Sequence, residues 1–255
     1  MANLKDEYRR IKLATIVRHN NFNHVFIKKG VFYGDFLDEY IYKKVMFTHK
    51  NKKRIDYNKS MKTGKREDNL WRTRNNIYRI THANVRKHGN YSPIFCTLTY
   101  KKDQESLKEV RREYKYFIFK LNNLLGHKVQ YLCVPEIQQK RLDKYGKAVW
   151  HLHIVFFNLP FIDINTFKNL WSHGSVDLQK VRKIKNIGAY IAKYLTKDTY
   201  DSRLYGQRAY NCSRGIIRPY ETYDDLQIDK YLEDDSIKLL SEYKTELKTI
   251  KIWKK

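Results

Sequence analysis

The chain has 255 residues, 42% of them hydrophobic and 15% aromatic, so it can bury the core of one or two domains and is too apolar for a disordered chain. Lysine and arginine number 52 against 27 aspartate and glutamate, a net charge of +25, which argues for a polyanionic partner. Three scattered cysteines, Cys96, Cys133 and Cys212, exclude a disulfide framework or a zinc cluster, and no apolar stretch is long enough to span a membrane. A reducing cytoplasm is the expected compartment.

Charge is sorted along the chain. Residues 1–220 hold 45 basic and 18 acidic side chains, a net +27, whereas 221–255 hold seven and nine. An A+T-rich genome would also raise Lys, Asn, Ile and Tyr, but it would not divide charge in this way. Within residues 43–66 there are ten Lys/Arg and one acid, which reads as a basic linker after an N-terminal extension over 1–67. Such a run suits a solvated surface and a phosphate-contacting arm equally well.

The main domain is expected over 68–219. Leu70, Ile77, Ile80 and Val85 suggest a basic helix that carries Arg72 and Arg74 and stops near Gly89. Residues 94–100 (IFCTLTY) read as a buried strand. Asp103 is placed to cap a helix whose apolar positions, Leu107, Val110, Tyr114, Phe117 and Leu121, recur every three or four residues up to Gly126. Two strand-like runs, 129–138 and 148–157, then form an antiparallel hairpin, followed by a helix capped by Asp163 and a strand over 175–181. A third helix is expected at 187–197 and a last strand at 208–213. Residues 220–255 form a tail, with a short helix expected over 236–247. Neighbouring strands interspersed with helices make an α+β fold, an antiparallel sheet with helices on one face and the other face free for a ligand.

The hairpin carries the densest chemistry. On a strand, His151 and His153 project from one face while Leu152 and Ile154 enter the core. Two imidazoles about 7 Å apart by strand rise can share a divalent metal. A turn centred between Asp143 and Lys144 sets Glu136 opposite His151 on the same face, a third ligand, with Gln138 as an alternative third or a fourth. Mixed nitrogen and oxygen donors suit Mg²⁺ or Mn²⁺ when phosphate completes the shell. A bare sheet surface on which Glu136 pairs with a lysine would show the same residues.

Further on, Tyr190 and Tyr194 lie one helical turn apart with Lys193 beside them. A phenol becomes a nucleophile once its proton is lost, and a nearby ammonium lowers that cost. Tyrosines at this spacing equally describe a packed stripe.

FCTLTY at 95–100, VPEIQ followed by WHLHIVF at 134–156, and YIAKYLTK at 190–197 resemble, in order, the three motifs of HUH endonucleases. The flanks WRTRNNIYRITHAN at 71–84, LWSHGSVDLQKV at 170–181 and YNCSRGIIRP at 210–219 are similar to rolling-circle initiators of phages and plasmids of low-GC Gram-positive bacteria and mollicutes. The resemblance covers 68–219 and implies a ferredoxin- or RRM-like Rep fold. It implies metal binding by His151, His153 and Glu136, with Tyr190 as nucleophile, Tyr194 as second tyrosine and Lys193 as the accompanying lysine. Relatives with one tyrosine and with two are both matched by YIAKY.

The implied reaction nicks one strand of single-stranded or cruciform origin DNA. It leaves a 5′-phosphotyrosine link and a free 3′-OH for a polymerase, then religates. No GxxxxGK[ST] loop is present, so strand separation falls to a host helicase in the bacterial cytoplasm. Candidate DNA contacts are Lys43, Lys44, Lys52, Lys53, Arg54, Arg72, Arg74 and Lys197. The competing readings are an HUH transposase or mobilisation relaxase, and a non-catalytic basic nucleic-acid-binding module.

Overall fold

The computed structural model describes residues 15–19, 22–46, 61–85, 87–89, 91–147, 149–181, 190, 208–245 and 248–255. In chain order these form β1 (Thr15–His19), β2 (Phe22–Tyr33), β3 (Phe36–Met46), α1 (Met61–Asn84), β4 (Ile94–Leu98), α2 (Leu107–Leu125), β5 (Tyr131–Ile137) and α3 (Gln139–Tyr145). There follow β6 (Trp150–Phe156), α4 (Ile164–Trp171), β7 (Val176–Lys180), β8 (Asn211–Cys212), β9 (Tyr220–Thr222), α5 (Asp225–Leu232), β10 (Lys238–Lys244) and β11 (Lys248–Lys254). The fold is α+β, with antiparallel sheets. No helix among the described residues is long and apolar enough to cross a membrane.

Two units divide the chain: Met1–Lys59 together with Arg218–Lys255, and Ser60–Ile217. In the first, β2 and β3 form a hairpin whose two-residue turn needs Gly34 at φ 62°, so that Tyr33 pairs with Phe36. Strand order is β1-β2-β3-β11-β10, with β9 also on β2. Residues 236–247, expected to be helical, carry β10 instead. The alternating Ile250, Ile252 and Trp253 of β11 build a strand that pairs with both β3 and β10, and that pairing overrides the helix-forming Leu and Glu of 239–242. The C-terminal residues are thus part of the same sheet as the N-terminal hairpin.

In the second unit the sheet order is β7-β4-β6-β5-β8, all antiparallel. Leu152 and Ile154 of β6 enter a core with Leu98, Val110, Phe117 and Trp171, under α2 and α4. Asp163 caps α4, accepting from the amides of Asn165 and Thr166. The cap of α2 is Ser106 rather than Asp103, and Ser106 Oγ accepts from the Glu109 amide at 3.3 Å. Asp103 is drawn away by Arg141 at 2.5 Å and Lys147 at 2.8 Å, beside the β5–β6 connection. That connection folds as α3, not as an open turn.

The opposite sheet face is not bare. Ile77 and Ile80 of α1 pack with Phe95, Leu132, Val134 and Val155. A helix of 24 residues must bury its apolar stripe, and this end of the sheet supplies the surface. The exposed portion of the face is therefore confined to the end that carries His151.

Candidate active site

The register of β5 against β6 pairs Glu136 with His151 and Val134 with His153, and β4 places Thr97 beside His153. Cross-strand partners share a face, so Phe95, Thr97, Glu136, His151 and His153 stand together on the side opposite the Leu152 core. Symmetry about residues 143 and 144 is kept even though the linker is helical.

His153 is 5% exposed and both its ring nitrogens are engaged. Its Nε2 lies 2.5 Å from Glu136 Oε2, and its Nδ1 lies 3.3 Å from Thr97 Oγ1. An ionised carboxylate only accepts, which assigns the proton to Nε2 and makes the Thr97 hydroxyl the donor to Nδ1. His151 lies with its ring centroid 6.4 Å from that of His153, and the Gln138 side-chain amide approaches His151 Nδ1 at 3.4 Å. Burial, with like charge from His153 and Arg141 outweighing Glu136, lowers the His151 pKa to about 4. At neutral pH its imidazole therefore keeps a lone pair to donate.

Two buried imidazoles and a buried carboxylate are the donor chemistry of a divalent-cation site. Among the described residues no group of three or more His, Cys, Asp or Glu side chains is arranged as a ready cage for a metal ion. Here Glu136 and His153 are paired with each other. The donor set fits such an ion, and holding one requires the Nε2–Oε2 hydrogen bond to open.

Tyr190 is helical and half-buried against the cluster that includes Phe95 and Val155. Its ring meets Phe95 edge-on, with centroids 5.1 Å apart and planes at 80°. On its other side Phe95 stacks on His153 at 5.6 Å and 6°. One aromatic side chain thus links the phenol-bearing residue to the imidazole. Phe95 and Thr97 were not singled out from the sequence. The usable signal was their alternation in IFCTLT, which puts both on one face.

Lys52, Lys53, Arg54, Lys193, Tyr194 and Lys197 lie outside the described residues. Arg72 is exposed on α1, and Arg74 is half-buried there. Lys43 and Lys44 fall on β3, in the other unit.

Residues 93–199, which run from just before β4 through Tyr194, match the family model of the replication-associated protein ORF2. That stretch is a rolling-circle replication initiator domain. The initiator domain contains Glu136, His151, His153 and Tyr190, and an initiator of replication binds DNA. Neither the comparison with curated proteins nor that with solved structures returned a match.

Proposed function

We propose that the chain nicks one strand of origin DNA by metal-dependent tyrosine transesterification of the HUH type. The observation that carries this reading is the chain of contacts Glu136–His153–Phe95–Tyr190 on one sheet face, inside the initiator domain. His151, His153 and Glu136, with Gln138 as an alternative, would hold Mg²⁺ or Mn²⁺. The bound ion supplies charge neutralisation at the scissile phosphate.

Thr97 holds the His153 ring through Nδ1, and burial keeps His151 neutral, so both present nitrogen donors rather than cations. Phe95 fixes the ring of Tyr190 near these donors. Tyr190 loses its proton, and its oxygen bonds to phosphorus while the bond from phosphorus to the 3′ oxygen breaks. That oxygen takes a proton and leaves as a 3′-OH, and the 5′ phosphate stays on Tyr190. One phosphodiester replaces another, so no ATP is consumed. After a round of synthesis, Tyr194 or a second copy of the chain repeats the exchange, Lys193 stabilising phenolate or phosphate charge, and the strand is religated.

Affinity rests mainly on the basic side chains, among them Lys43, Lys44, Lys52, Lys53, Arg54, Arg72, Arg74 and Lys197. The substrate is single-stranded or cruciform origin DNA, because a paired phosphate cannot enter a recessed site. A host helicase and a DNA polymerase then act on the product in the bacterial cytoplasm.

The test is incubation with single-stranded origin DNA and Mn²⁺, read as a protein–DNA adduct that survives SDS. The wild type should form it. Its persistence in a Tyr190→Phe, Tyr194→Phe double variant would refute the nucleophile assignment, and its absence from the wild type would leave a non-catalytic binding module.

A further inference from the structure

The outer side of α2 combines cations with exposed rings that the nicking chemistry does not use. Its buried positions, Val110, Tyr114, Phe117, Ile118 and Leu121, lie against the sheet face of Leu152 and Ile154. The other side of the helix therefore points away from His151 and His153. On it Lys108, Arg112 and Lys115 are exposed, and Tyr116 and Phe119 are 58% and 56% exposed. The two rings stack with centroids 6.3 Å apart, and Lys120 Nζ sits 5.0 Å from the Tyr116 centroid.

Near the start of the helix a concavity of about 500 Å³ is lined by Leu107, Lys108, Arg111, Arg112 and Lys115. Arg112 also pairs with Glu109, and Arg111 Nη2 donates to the Arg208 carbonyl at 2.9 Å. Four cationic side chains thus converge on one hollow. Like charges at i and i+4, such as Lys108 with Arg112 and Arg111 with Lys115, destabilise a helix. Neighbouring rings more than half in water add little to the fold. A partner bringing negative charge and unpaired flat rings offsets both penalties.

From this geometry we infer that the outer side of α2 binds a segment of single-stranded DNA, its phosphates at the cation-lined hollow and its bases on Tyr116 and Phe119. Duplex DNA fits less well, because its bases are already stacked and paired. The segment held here is on the other side of the sheet from the candidate active site, so it is not the stretch being cut. It gives the domain a second grip on the displaced or adjoining strand.

The test measures binding of the full chain to a labelled oligothymidylate of about 30 nucleotides, which carries no origin and so reports nothing on nicking. Tyr116→Ala with Phe119→Ala should weaken binding at least about fivefold while leaving duplex affinity unchanged. Lys108→Ala with Arg112→Ala and Lys115→Ala should reduce the slope of log affinity against log salt by about 2, at about 0.7 for each phosphate no longer neutralised. Lys230→Ala with Lys238→Ala and Lys244→Ala removes equal charge from exposed positions of the other unit and should change the slope less. The inference is overturned if the aromatic pair is without effect, if duplex binding falls equally, or if the control triple matches the α2 triple.

Discussion

His153 Nε2 and Glu136 Oε2 meet at 2.5 Å across β5 and β6, a buried imidazole–carboxylate contact on the sheet face opposite the main core. Its isolation from water makes each partner costly to remove. Glu136→Ala leaves a buried ring nitrogen without its acceptor and should lower stability by about 1–3 kcal/mol in metal-free protein. In calorimetric titration with Mn²⁺ the same variant should bind at least about tenfold more weakly. Unchanged Mn²⁺ binding would remove Glu136 from the ligand set.

Chemistry and affinity should separate at His153. His153→Ala is expected to reduce nicking of single-stranded origin DNA by about 100-fold or more, while affinity for the same DNA stays within about threefold, since binding rests on charge spread over the chain. Parallel loss of both in gel-shift and cleavage assays would contradict that division. Thr97→Val tests the other nitrogen. Without the hydroxyl at Nδ1 the ring loses its orienting partner, and Mn²⁺ affinity should fall by about tenfold with the fold intact.

Phe95 is 1% exposed and lies between His153 and Tyr190. Phe95→Ala should cost about 3–5 kcal/mol of stability by chemical denaturation. Phe95→Leu keeps most of the volume but loses the ring faces, so it should fold, retain Mn²⁺ binding and slow nicking. Equal nicking by Phe95→Leu and wild type would show that the aromatic link does not position Tyr190.

His151 gives a pH signature. Its folded-state pKa, about 4, lies below the ordinary histidine value of 6.5, because burial disfavours the imidazolium. Between those values the unfolded chain binds a proton that the folded chain does not, so this group's contribution to stability falls as pH drops from about 7 to about 4 and is flat below that. Urea midpoints of metal-free wild type should decline across that interval more steeply than those of His151→Asn. Parallel curves would show that His151 is not held neutral by the fold.

The placement of Glu136 opposite His151 was legible because a strand has period two and a hairpin is symmetric about its centre, whatever the linker does. The linker became α3, yet the register held. Asp103 was misread as a helix cap because its partners, Arg141 and Lys147, lie about forty residues away and leave no local trace. β10 was misread as a helix for a related reason: its strand state depends on β11, which joins it to β3. Phe95 and Thr97 could be assigned to one face from alternation alone. That this face adjoins β6 depends on the strand order β7-β4-β6-β5, which local patterning does not specify.

The most direct measurement is mass spectrometry of the covalent adduct formed with single-stranded origin DNA and Mn²⁺, trimmed with nuclease and digested with protease. The account predicts a nucleotide 5′-phosphate on the Tyr190 side chain in the first cleavage. An adduct carried by any side chain other than Tyr190 or Tyr194, or nicked DNA with no protein attached, would contradict it.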